Sequence, residues 1–122
     1  METLKDVRIA LNQKEEDKKI DQNRLRANIH KFLECTEDQT FEIIDILLAD
    51  IKLFDQKQRD YGKLNIAKFG QVGVLVRVSD KVERLTNLIQ SARVPNNESV
   101  EDSWQDLSIY GAIARVINKG SW

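Results

Sequence analysis

Residues 71–91 read QVGVLVRVSDKVERLTNLIQS, and the spacing of their apolar side chains decides the fold class. Leu75, Val78, Val82, Leu85 and Ile89 follow one another at steps of three, four, three and four. That is the period of an α-helix with one apolar seam, the pattern that packs against a neighbouring helix in a bundle or coiled coil. The β-branched run from Val72 to Val78 would suit a strand. The charges at positions 77, 80, 81, 83 and 84 favour the helix.

The same period extends on both sides of this stretch. Upstream, Phe41, Ile44, Leu47, Leu48, Ile51 and Phe54 form a stripe that predicts a helix over about 38–59. Asp60-Tyr61-Gly62 ends it, because glycine enters the left-handed conformation that closes a helix. Residues 63–70 read as a connector. Downstream, 92–97 hold the only proline and two asparagines, a loop composition. A further helix is expected from near Ser99 to Asn118, burying Trp104, Leu107, Ala112, Ile113, Val116 and Ile117. The first third carries Leu4, Val7 and Leu11, then Ile20, Leu25, Ile29, Phe32 and Leu33. Between 12 and 19 there is almost nothing to bury, so this segment is expected to be a helix that is exposed or interrupted there. Residues 1–35 would be an N-terminal arm or a partner-chain contact. The whole predicts one all-α domain over 1–122, a compact bundle of about four helices, with dimerisation left open.

Composition narrows the functional classes. The chain has 122 residues, 41% apolar and 32% charged, with one proline, which suits one helical core under a charged surface. Nineteen basic against twenty acidic residues leave a formal charge of −1. Duplex binding draws much of its affinity from a basic excess, so nucleic acid is not the expected ligand. A single cysteine, Cys35, and a single histidine, His30, exclude an intrachain disulfide and a structural zinc site. His30 is expected on a helix surface or at the core edge, and Cys35 as a buried or half-buried thiol. No apolar run approaches the ~20 residues that span a bilayer. A soluble, cytoplasmic protein without a membrane partner is expected.

Chemistry is left to carboxylates. Asp80 and Glu83 are three apart, with Asn87 four later, and Asp102 and Asp106 are four apart, with Tyr110 continuing the line. Such spacings share a helix face. Two antiparallel helices would bring the stripes together, and facing carboxylates can hold the hard cation Mg²⁺, which bridges phosphate oxygens and activates water. On this expectation Asp80, Glu83, Asp102 and Asp106 are metal ligands, and Asp80, Glu83 and Asp106 carry catalysis. Tyr61, Arg77, Lys81, Arg84, Asn87 and Tyr110 would then bind substrate. The bland alternative is a solvated charged face. Asp102 in particular fits a capping box that starts at Ser99.

Three separated blocks carry a resemblance: Asp60-Tyr61-Gly62, residues 73–88 (GVLVRVSDKVERLTNL) and residues 98–110 (ESVEDSWQDLSIY). In this order they resemble the nucleotide modification associated domain 1 family of phages and prophages, over roughly 57–119. The resemblance implies a nucleotide-linked role in a host cytoplasm. Its signature positions would be Arg77, Asp80, Lys81, Arg84, Asn87, Glu98, Asp102, Asp106 and Tyr110. A weaker resemblance is to all-α nucleoside triphosphate pyrophosphatases of the MazG and dimeric dUTPase type, which carry paired acidic motifs for Mg²⁺. Asp80-x-x-Glu83 stands for the first pair. The second departs, with Ser103 three before Asp106. Together these imply either Mg²⁺-dependent hydrolysis or transfer at a nucleotide phosphate, or a non-catalytic module. The module would bind a nucleotide or a host protein, as a phage accessory or counter-defence factor acting as a homo-oligomer.

Overall fold

A computed structural model describes all residues, 1–122, and every regular element in it is a helix. The order is α1 (Leu4–Phe32), α2 (Gln39–Tyr61), α3 (Leu64–Ala67), α4 (Gly70–Ser91) and α5 (Val100–Asn118). No helix is long and apolar enough to cross a membrane. The contacts divide the chain into two units, 1–48 and 49–122, with α2 contributing to both.

Local chemistry accounts for where the helices begin and end. Thr3 opens α1 with a capping box: its hydroxyl accepts from the Asp6 N–H, while its own N–H donates to Asp6 Oδ2 at 3.0 Å. Ser99 opens α5 in the same way. The Asp102 N–H donates to Ser99 Oγ at 3.1 Å, and the Ser99 N–H donates to Asp102 Oδ2 at 3.0 Å. Each box satisfies donors that a helix start would otherwise leave unpaired. Gly62 closes α2 at φ +76°, its N–H donating to the Gln58 carbonyl.

In unit 1, α1 is continuous through 12–19, where the sequence offers nothing to bury, and no residue of it is buried. Its C-terminal part is tied to the start of α2. Arg26 donates to Asp45 Oδ2 at 2.7 Å and lies over the Phe41 ring. His30 stacks on Phe41 with the rings nearly parallel and 3.8 Å between centroids. His30 is thus half-buried at an edge, and Cys35 is half-buried too. Ile44 is the buried apolar residue of this unit.

In unit 2, Ile66 of α3, Val74 of α4 and Ile113 of α5 form the core, with Phe54, Val78, Ile109 and Ile117 against them. Burying such a side chain contributes ~1.5–3 kcal/mol. The connector at 63–70 contains a one-turn helix, α3, that places Ile66 under α4. Trp122 returns to this region. Its indole N–H donates to the Lys63 carbonyl at 2.8 Å, and its ring meets Phe54 edge to face.

The inward face of α4 is not the expected seam. Val74, Leu85 and Leu88 are buried and Arg77, Val78, Lys81 and Arg84 half-buried, whereas Leu75, Val82 and Ile89 stay exposed. The helix is rotated so that its cations lie inward, their aliphatic stems packing while their heads find partners. On α5, Ile113 is buried as expected, but Trp104 is half exposed.

The capping box of α5 makes a pH-dependent contribution. The Ser99 hydroxyl and N–H hold the Asp102 carboxyl below its ordinary value of 3.8. A depressed acid stabilises the fold above its unfolded value, and that support is lost as pH falls through the folded one. Replacing Ser99→Ala is expected to cost about 1 kcal/mol in denaturant unfolding at neutral pH. Asp102→Asn should lower Tm at neutral pH, with the gap to the parent closing only as the pH drops below 3.8.

Candidate functional site

A cleft of 280 Å³ opens in unit 2, walled by α2, α4 and α5 and floored by Phe54, Ile66, Ile109 and Ile113. Spacing explains which side chains reach it. Asp50, Phe54, Lys57 and Tyr61 recur every three or four residues along one face of α2, as do Arg77 and Lys81 on α4 and Asp106 and Tyr110 on α5.

Asp106 is the electrostatic centre of the cleft. Its Oδ2 takes the Lys81 ammonium at 2.8 Å, and its Oδ1 takes that of Lys57 at 3.5 Å. One carboxylate from α5 thereby joins a lysine from α4 and another from α2. Lys81 also donates to Glu98 Oε2 at 3.2 Å. The Lys81 and Asp106 side chains are about four-fifths buried. The hydrogen bond to Asp106 lifts the Lys81 ammonium above its ordinary value of 10.5, against desolvation, with Glu98 adding to the rise.

The other two cations serve as fasteners. Arg77 donates to the Asn65 side chain at 3.1 Å and to its carbonyl at 2.9 Å, fixing α3 against α4. Arg84 donates to Ser103 Oγ at 2.6 Å, to the Ser99 carbonyl and to the Glu98 carbonyl, clamping the start of α5. Ser103 is fully buried.

The structure therefore separates the residues that the sequence groups. Tyr61, Arg77, Lys81, Asp106 and Tyr110 all line the cleft, whereas Arg84 and Asn87 do not. Arg84 is consumed by α5, and Asn87 is exposed. Asp80 and Glu83 are exposed on α4 away from the cleft, because the rotation that turns Arg77 and Lys81 inward carries them outward. Asp102 is engaged at the helix cap and Asp106 by two ammonium groups. No group of three or more carboxylate, histidine or cysteine side chains stands where it could share a metal ion. The four carboxylates do not converge on one point.

Sequence reasoning misses Asp50, Asn65 and Gln105. The signal for Asp50 is its place: a carboxylate inside the apolar run Leu47–Phe54, one turn before Phe54 and two before Lys57. Asp50 is buried at 4% exposure. Its Oδ1 accepts from Gln105 Nε2 at 3.1 Å, and its Oδ2 has no partner.

Compared with protein-family models, curated proteins and solved structures, the chain matches none of them. The cleft itself has to carry the functional argument.

The Lys81–Asp106 pair is expected to couple by ~1–3 kcal/mol in a double-mutant cycle of Lys81→Met and Asp106→Asn, read by urea unfolding. Because the Lys81 value is raised, its contribution is complete below 10.5 and fades as pH climbs through the folded value. The Tm gap between the parent and Lys81→Met should be flat to that point and narrow above it.

Proposed function

We propose that the chain is a nucleotide-binding module whose cleft in residues 49–122 takes a nucleoside monophosphate. The observation that carries this is the pairing, in one cleft, of under-used ammonium donors with two tyrosines. Lys57 is half exposed and makes a single long contact, so most of its donors are free for a phosphate. Tyr61 lies one turn along α2, and Tyr110 stands on α5, offering ring faces and hydroxyls to a base and sugar. At 280 Å³ the cleft falls just below the ~300–1,000 Å³ usual for small-molecule sites, which favours a small ligand.

Charge limits the ligand. Lys57, Arg77 and Lys81 face Asp50, Glu98 and Asp106 across the lining, so the cleft has no strong positive field. A triphosphate would meet as much repulsion as attraction, whereas a monophosphate needs only one ammonium group released from Asp106. The scattered acidic residues favour binding over Mg²⁺-dependent hydrolysis.

Calorimetric titration with nucleosides and with mono- and triphosphates, in EDTA and in Mg²⁺, tests this. A monophosphate should bind best and bind equally in EDTA. Lys57→Ala should weaken it roughly tenfold, since a charge-assisted hydrogen bond contributes ~1.5–3 kcal/mol. The absence of any nucleotide binding at millimolar concentration would reject the proposal.

A second copy of the chain is proposed as a further partner. A helix with no buried residue gains little from packing, and isolated helices are only marginally stable in water. Here α1 runs for 29 residues without one, while Leu75, Val82 and Ile89 lie uncovered on α4. Light scattering after gel filtration should give twice the 14.1 kDa chain mass. A monomer at tens of micromolar would count against it.

A further inference from the structure

Asp50 is the group in the cleft that the fold leaves unexplained. Its neighbours on α2, Leu53 and Phe54, line the cleft as apolar wall. A leucine at position 50 would fit the helical pattern, and burying a carboxylate there is costly unless its oxygens are hydrogen-bonded. One oxygen is satisfied by Gln105 Nε2, while the other, closed off from solvent, meets no donor in the chain. Buried polar atoms without a partner are rare in folded proteins, and each asks for a donor from elsewhere.

The cations of the cleft do not supply it. Lys57 and Lys81 are directed to Asp106, Lys81 also to Glu98, and Arg77 to Asn65. Gln105 is half-buried, carried by α5 beside Asp106, and is the side chain that stands against Asp50. A rotation of this flexible amide would release the Asp50 oxygen it holds, beside the cleft that both residues line.

We infer that Asp50 reads the base: its free oxygen accepts a hydrogen bond from a ring-edge N–H of the ligand, making the cleft selective for nucleobases with such a donor. This rests on the nucleotide-binding reading and narrows it. Gln105 is a positioning residue in this scheme. It holds one carboxylate oxygen when the cleft is empty and orients the other towards the ligand. A base with two adjacent N–H groups, as on the guanine edge, can engage both oxygens when Gln105 turns away, since parallel N–H groups match a carboxylate in geometry.

The test compares guanosine monophosphate with purine riboside monophosphate, which lacks the edge donors, by calorimetric titration of the full chain. The unmodified protein should bind the guanine nucleotide at least tenfold tighter. Asp50→Asn keeps the shape but turns one oxygen into a donor, so it should erase that ratio, while the loss of one negative charge shifts the affinity of both phosphates in the same direction. Its melting curve should show no loss of stability. Equal affinity of the two nucleotides for the unmodified protein overturns the inference and leaves the proposed function standing. If neither nucleotide binds, the proposed function falls. Benzamidine, a small paired N–H donor, then decides the inference by itself. A Tm rise in the unmodified protein that Asp50→Asn lacks supports it, and no rise in either rejects it.

Discussion

The arrangement of unit 2 depends on a single carboxylate held between two ammonium groups. Asp106 stands on α5, yet its two oxygens are claimed by Lys81 of α4 and Lys57 of α2. The apolar core beneath, made by Ile66, Val74 and Ile113, drives α3, α4 and α5 together, but α4 carries apolar side chains on two faces, so burial alone chooses weakly between them. Ion pairs are not indifferent. Once Lys81 must meet Asp106, α4 has to turn Arg77 and Lys81 inward, and Leu75, Val82 and Ile89 are left outside. Truncating one member of such a buried pair leaves an unpaired charge, which is why the arrangement resists change more than its net contribution suggests.

The same rotation explains how much of the molecule is legible in its sequence. Helix ends are written locally: Gly62 needs its left-handed φ, and Ser99 with Asp102 forms a cap within four residues. These can be read without knowing any neighbour. The inward face of α4 cannot. The heptad-like Leu75, Val82 and Ile89 have the stronger apolar pattern, but the face that packs includes three cations whose stems are buried and whose heads are paired. Periodicity scores Arg77, Lys81 and Arg84 as surface, although two of them face the cleft or a lysine-carboxylate network and the third grips α5. The segment at 63–70 is misjudged for another reason. A single helical turn is too short to show a period, so α3 reads as loop.

The candidate site is legible in part. Tyr61, Arg77, Lys81, Asp106 and Tyr110 converge as their spacing suggests, because i to i+4 steps on α4 and α5 put them on facing sides. The acidic grouping fails, since Asp80 and Glu83 belong to the opposite side of the same helix and Asp102 belongs to a cap. Asp50 shows in the sequence only as a carboxylate inside an apolar run, and its pairing with Gln105 does not show at all. Their meeting spans 55 positions and depends on how α2 lies along α5 in this unit, which no local pattern encodes.

Trp122 and Trp104 differ in surroundings. The indole of Trp122 is half-buried, bonded to the Lys63 carbonyl and set edge-on to Phe54, whose ring forms part of the cleft floor, while Trp104 is half exposed to solvent. The protein therefore carries its own optical reporter. Through its contact with Phe54, Trp122 is placed to sense a change in the cleft floor, and the more accessible Trp104 can be separated from it by an aqueous quencher such as iodide. Events inside the cleft can be followed by light without attaching a label.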